Sequence, residues 1–180
     1  MSSNHNGYGL THAVKNEFIS WWKGLTSETA SGTARADRAV LRRAGTLTAV
    51  ACTPAYQRIY RKMADAHVGR PWQSFEQERI AALIGLAAHV ERSNPESEMS
   101  LPQAMSNRTK DAESNLVSDI RFSRLLEVPD IEALFTDLRR SLPLIDNKVD
   151  PRSLADDVFD WGDAVKKKWA YAYQWTVKAD

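Results

Sequence analysis

The chain has 180 residues, 43% of them hydrophobic and 26% charged, with a formal net charge of +1. These values exclude a disordered or collagen-like polypeptide and describe a globular chain long enough to bury roughly two thirds of its unfolded surface. A charge this close to zero also excludes polyanion binding over the whole surface, so any nucleic-acid function has to reside in a local patch.

Met1–Gly9 is polar and rich in Gly and Asn, so the first ten residues are expected to be disordered; they lack the basic and apolar regions of a secretory signal. From Thr11, a predicted N-cap, the spacing of Val14, Phe18, Trp21, Trp22 and Leu25 predicts a helix ending near Gly24. The Trp21-Trp22 pair reads as core on this amphipathic helix, the alternative being a stacking platform for bases. Thr26–Thr33 is a loop of Ser, Thr and Gly.

The next stretch, Ala34–Ala44, places Arg35, Arg38, Arg42 and Arg43 at i, i+3, i+7 and i+8, one face of a helix whose buried edge is expected at Ala36, Val40, Leu41 and Ala44. Arginine forks match phosphate oxygens, so this row is a candidate track for a nucleic-acid backbone; the alternative is a solvated face that keeps the protein soluble. Leu47–Ala51 is a short apolar piece. Thr53-Pro54 reads as N-cap and N1 of a helix reaching His67, with Tyr56, Ile59, Tyr60 and Met63 inward and a second basic row, Arg58, Arg61 and Lys62, beside them. Between Ser31 and Arg70 eight basic residues stand against Asp37 and Asp65, a local balance of +6 that leaves −5 for the other 140 residues.

Ser74 and Gln77 resemble a capping box for a helix to about Glu91, apolar almost all round from Ile80 to Ala88 and therefore central. Residues 93–112, with Pro95 and Pro102, read as a connection with a short helical turn after Ser100. It separates an N-terminal helical part, 11–92, from a C-terminal one, 113–180. In the latter, Leu116, Ile120, Leu125 and Leu126 point inward and Arg121 and Arg124 lie beside them. A further helix carries Ile131, Leu134, Phe135, Leu138 and Leu142, with Arg139 and Arg140 in its last turn, where cations suit the dipole. Asp150-Pro151 opens the longest predicted helix, to about Val177. No segment alternates like a strand, so the fold is predicted to be all-α, about seven helices in two packed, bundle-like parts.

Chemistry is sparse. Cys52 is the only cysteine, which excludes an internal disulfide and fits a reducing cytoplasm. The four histidines show no i, i+4 pairing. Phosphate-loop, dinucleotide and hydrolase motifs are absent. The acidic set Asp156, Asp157, Asp160 and Asp163 could bind Mg²⁺ on a helix face, since Asp156, Asp160 and Asp163 lie at i, i+4 and i+7, but the same residues serve the helix dipole. No catalytic residue, metal or cofactor is assigned. A helix-turn-helix regulator would need base-reading side chains after Gly45, where Leu47–Ala51 is apolar.

Several features in order carry a resemblance: Phe18-Ile19-Ser20-Trp21-Trp22, the Ala34–Ala44 arginine helix, Ser100-Leu101-Pro102-Gln103-Ala104, Ile120–Leu126, and Asp157-Val158-Phe159-Asp160-Trp161 with Lys168-Trp169-Ala170-Tyr171. Together they resemble the CasB family, the small subunit of the type I-E CRISPR Cascade complex, over about Phe18–Tyr173. The resemblance implies a non-enzymatic, all-helical subunit, present as a pair beside the backbone subunits and the large subunit of an assembly on CRISPR RNA. It also implies basic surface residues that hold the target and displaced DNA strands in the R-loop. Arg35, Arg38, Arg42 and Arg43 fall on the family's basic N-terminal helix and Arg121 and Arg124 on its basic C-terminal helix; Arg58, Arg61 and Lys62 rest on the charge pattern. Pro102 and Gln103 stand where the family commonly has a basic residue. The alternative function is a helical adaptor that contacts proteins only.

Overall fold

The computed structural model describes residues 9–93, 98–109 and 111–176. Among them are ten α-helices and no strand: α1 (His12–Leu25), α2 (Gly32–Arg43), α3 (Leu47–Ala51), α4 (Pro54–Ala66), α5 (Ser74–Ala87), α6 (Leu101–Met105), α7 (Asp119–Leu126), α8 (Ile131–Ser141), α9 (Pro151–Phe159) and α10 (Asp163–Ala172). A 3-10 turn, Leu142–Ile145, continues directly from α8. Of the segment expected to be disordered, only Gly9 and Leu10 are described, and Leu10 is buried in the core. Residues 94–97 and 110 of the expected connection, and Val177 at the expected end of the last helix, lie outside the described residues.

The all-helical expectation holds, whereas the count of about seven falls short. Leu47–Ala51 and Leu101–Met105 are helices in their own right: Thr46 Oγ1 accepts from Ala49 N at 3.1 Å, and Gln103 Oε1 accepts from Ser100 N at 3.2 Å. The long helix predicted from Asp150 is two. It breaks after Phe159, and α10 turns back so that the indole Nε1 of Trp169 donates to Asp157 Oδ2 at 2.8 Å. In one continuous helix those residues would stand about 18 Å apart along the axis. Satisfying a buried carboxylate therefore requires the break, and Lys168 adds an ion pair to the same group. With the break, Asp156 and Asp163 no longer share a helix face, and Asp156 instead pairs with Lys15 at 2.9 Å.

Thr11, Thr53 and Asp150 cap as predicted. The capping box of α5 lies one residue earlier than Ser74, because Glu76 turns inward. Its carboxylate accepts from Gln73 N at 2.8 Å and from the Arg70 fork at 2.7 and 3.0 Å, and the Arg70 bonds hold it below the usual carboxylate range. Ile120 also departs from expectation and is 68% exposed. Its helix starts at Asp119 rather than near Glu113, so the apolar phase resets and Phe122 and Leu125 face inward.

All residues from Ile80 to Ala88 are buried, so α5 runs through the core. It is covered by α2 and α3 from the N-terminal half of the chain and by α8 and α9 from the C-terminal half. Gly85 permits a close approach of α3 and α8. A Cβ there would lie 2.8 Å from Phe135 Cε2 on α8 and 3.0 Å from Val50 Cγ2 on α3.

The C-terminal end of α5 ties the molecule together. Arg38 of α2 donates from Nε to Ala88 O at 3.0 Å and from Nη2 to Val90 O at 3.3 Å, and pairs with Glu91 at 2.9 Å. Ala88 is the C-cap of α5, so its carbonyl is one that the helix end leaves without an intrahelical partner, and Val90 follows just beyond it. At the same end Arg139 of α8 approaches His89, Nε to Nε2 at 3.5 Å. Burial first, then the charges of Arg139, Arg42 and Arg38, lowers the His89 pKa to about 4, so the ring is neutral at pH 7.

Two outcomes follow from this packing. Gly85→Ala should destabilise the fold by about 1–3 kcal/mol in denaturant titrations despite the better helix propensity of alanine, because the Phe135 ring is itself packed. For His89 the folded pKa lies below the ordinary 6.5, so its contribution is complete above pH 6.5 and is lost as the pH falls toward 4. The thermal midpoint of wild type should therefore drop further between about pH 7 and pH 5 than that of His89→Gln. Equal drops would place the acid sensitivity elsewhere.

Candidate nucleic-acid interface

The arginine helix forms as predicted, opened by Ser31, whose Oγ accepts from Ala34 N at 3.1 Å. Its orientation differs from the expected one. Leu41 and Ala44 are buried, but Ala36 and Val40 are exposed, and the inward edge is completed by Asp37 and Arg38. Arg38 is thus drawn out of the row: its side chain is only 19% exposed and its donors serve the end of α5. Arg35, Arg42 and Arg43 remain on the outer surface.

On α4, Arg58, Arg61 and Lys62 are all exposed. Arg58 reaches across to Asp37 of α2 at 2.5 Å, so the acidic residue inside the arginine row is neutralised by the neighbouring basic row. This ion pair is partly solvated and adds little stability, but it orders two basic helices side by side.

Arg121 and Arg124 project from α7 into a cleft of about 340 Å³ closed on its far side by Asp137, Arg140 and Ser141 of α8. Three guanidinium groups face this space against one carboxylate, and Asp137 lies 3.9 Å from Arg140. The short helix that carries Arg121 and Arg124 is held from behind. Phe122 stacks on Tyr173 with centroids 3.9 Å apart, and Asp119 accepts from Tyr173 Oη at 3.0 Å and from Thr176 N at 3.1 Å. Burial opposes ionisation of Asp119, but the bonds from Thr176 and Tyr173 outweigh it and hold the carboxyl below its usual pKa.

The residues that join the two basic regions are Arg139 and Arg140. Arg139 faces α2, where Nη2 donates to Arg42 O at 3.0 Å and the guanidinium sits 5.4 Å from the Phe135 centroid. Arg140 faces α7. Neighbouring residues on a helix are rotated about 100° apart, so two consecutive arginines serve two surfaces. Their sequence position marks them only as dipole partners, because the placement of α2 beside α8 is a tertiary fact. Arg139 thus abuts α2 at Arg42, and Arg140 lines the same cleft as Arg121 and Arg124, so α8 stands between two sets of basic residues. Exposed arginines of this kind can hold a phosphodiester backbone by charge-assisted hydrogen bonds without reading bases.

Among the described residues no group of three or more His, Cys, Asp or Glu is placed to hold a metal ion, and no helix is long and apolar enough to cross a membrane.

Two solved structures share the fold. CasB from Thermus thermophilus is 22% identical, with a TM-score of 0.65 over 88% of this chain and 96% of that one. A chain in the crystal structure of E. coli Cascade bound to a PAM-containing dsDNA target is 16% identical, with a TM-score of 0.61 over 86% of this chain and 92% of that one. A search of curated proteins finds no match. The family described as CRISPR-associated protein Cse2 matches residues 37–173, from Asp37 in α2 to the C-cap of α10, well over half of the chain. On that match, the chain belongs to the CRISPR-associated protein Cse2 family, in accord with the CasB resemblance of its sequence motifs.

Proposed function

We propose that this protein is a non-catalytic, cytoplasmic subunit of a CRISPR RNA-guided surveillance complex of the Cascade type, and that it stabilises the opened DNA strands of the R-loop by gripping their backbones. The observation that carries this reading is the set of exposed arginines on α2, α7 and α8, with Arg121, Arg124 and Arg140 converging on one cleft, in a chain whose net charge is only +1. Its partners are the backbone and large subunits, a second copy of itself, and the DNA, with RNA backbone as a further substrate of the same chemistry.

R-loop formation exchanges one duplex for another of similar stability, so contacts to strand backbones tip the balance while base pairing reads the sequence. Arg35, Arg42, Arg43, Arg58, Arg61, Lys62, Arg121 and Arg124 are the phosphate-binding residues in this reading, with Arg140 added by the α7–α8 cleft. Arg38 is assigned to holding α2 against α5. Weak binding by the free subunit is compatible with this role, because the assembly supplies a high effective concentration.

The paired substitutions Arg42→Ala with Arg43→Ala, and Arg121→Ala with Arg140→Ala, should weaken binding to all DNA sequences alike. Each pair should reduce the magnitude of the salt slope by roughly one for every phosphate it ceases to neutralise. Arg38→Ala should instead lower the thermal midpoint, leaving the slope unchanged once folding is restored at lower temperature. If both pairs leave the slope and R-loop lifetime of the assembled complex unchanged while assembly proceeds, the adaptor reading replaces this one.

A further inference from the structure

The tryptophan pair of α1 is divided by the fold. Trp22 is buried, while Trp21 is half-buried and forms one wall of an open cleft of about 520 Å³ between the end of α1, the following loop, the start of α2 and Lys62 of α4. The volume lies in the range of small-ligand sites. Leu25, Ala30 and Ala34 supply apolar surface beside the indole, and Ser20, Ser27, Thr29, Ser31 and Thr33 supply hydroxyl groups. Phe18 lies against the Trp21 ring at 6.0 Å and 37°, which restrains the ring from the core side.

Charge decides what fits. Glu17 and Asp37 line the cleft, so a phosphate inside it would face two carboxylates. Carboxylates and hydroxyls do suit the amino, imino and carbonyl edges of a nucleobase, and a half-exposed indole suits its face. Two exposed cations are at hand: Lys62 lines the cleft and Arg58, one turn before it on α4, is held at Asp37. A polar cleft with a flat aromatic wall and exposed cations beside it matches one splayed nucleotide, base inside and backbone outside.

We propose that this cleft receives a single nucleobase from an unpaired strand, stacked on Trp21, with the strand's backbone passing over Lys62 and Arg58. The inference rests on the backbone-binding reading above and adds to it a site that favours single strands over duplex, in which bases are not free to enter. It uses stacking and edge hydrogen bonds, so it tolerates several bases.

The test compares the full chain's affinity at low salt for a fluorescently labelled single strand and for an abasic strand of equal length and charge. Wild type should prefer the strand with bases by about tenfold, the order expected for one stacked base. Trp21→Ala should abolish the preference while leaving affinity for the abasic strand intact, and Trp21→Phe should keep most of it. Gly24→Leu provides a variant that does not touch the core: a Cβ at Gly24 meets nothing within 4 Å, and the side chain would fill the cleft from its lining. It too should abolish the preference.

A preference that survives both Trp21→Ala and Gly24→Leu overturns the inference, as does an equal loss for the two strands. If the substitutions leave strand binding unchanged but block assembly, the cleft takes a protein side chain instead, and the inference is wrong. Failure of wild type to bind either strand would remove the backbone reading itself, an outcome distinct from the loss of base preference alone.

Discussion

The constraint on which this structure depends is the lack of a polar face on the second half of α5. Nine consecutive residues, Ile80 to Ala88, are withdrawn from water, so every side of the helix has to be covered there. Hydrophobic burial of this kind is non-directional and would by itself accept many coverings. Gly85 narrows the choice, because only helices presenting Val50 and Phe135 at the right height can approach so closely. The covering helices come from both halves of the chain, which draws α2 and α8 to the same end of α5 and brings Arg42 beside Arg139.

Polar groups then fix what apolar packing leaves open. Arg38 satisfies carbonyls at and just beyond the end of α5, and Arg139 approaches the neutral His89 at the same end. A protonated imidazole in that position would add a further cation in a partly desolvated site. Burial acts against it most, and the charges of Arg139, Arg42 and Arg38 add to the effect, so the ring stays neutral. Farther along the chain, buried Asp157 enforces the turn between α9 and α10. The aromatic group of Phe122, Trp169, Tyr173 and Trp175 that results gives α7, too short to be stable alone, a platform.

The surface is therefore a division of labour among arginines that look equivalent in the sequence. Arg38 joins helices, Arg58 neutralises an acidic neighbour, Arg139 bridges α8 to α2, and Arg42, Arg43, Arg121, Arg124 and Arg140 face outward or into an open cleft. Concentrating cations locally while the whole chain stays near neutrality suits the proposed role, in which the subunit would dock against other proteins as well as nucleic acid, since a uniformly cationic surface would bind polyanions indiscriminately. In the proposed base site, the polar cleft at Trp21 with Lys62 in its lining would extend the same separation of roles to a base and its backbone.

The amino-acid sequence by itself determined the helical class, most helix starts and the centrality of α5, because N-caps such as Thr11, Thr53 and Asp150 and apolar periodicity act within a few residues of one another. It also marked the arginine helix and the motifs that point to the family. What only the tertiary structure decided are the facts that depend on distant partners: the rotation of α2 that turns Arg38 inward, the break after Phe159 required by Asp157 and Trp169, and the separation of Trp21 from Trp22. The recruitment of Arg139 and Arg140 belongs with these. A helical repeat specifies which residues share a face, but the neighbours packed against that face decide which way it points, and those neighbours lie 50 residues or more away in the chain for Arg38 and Arg139.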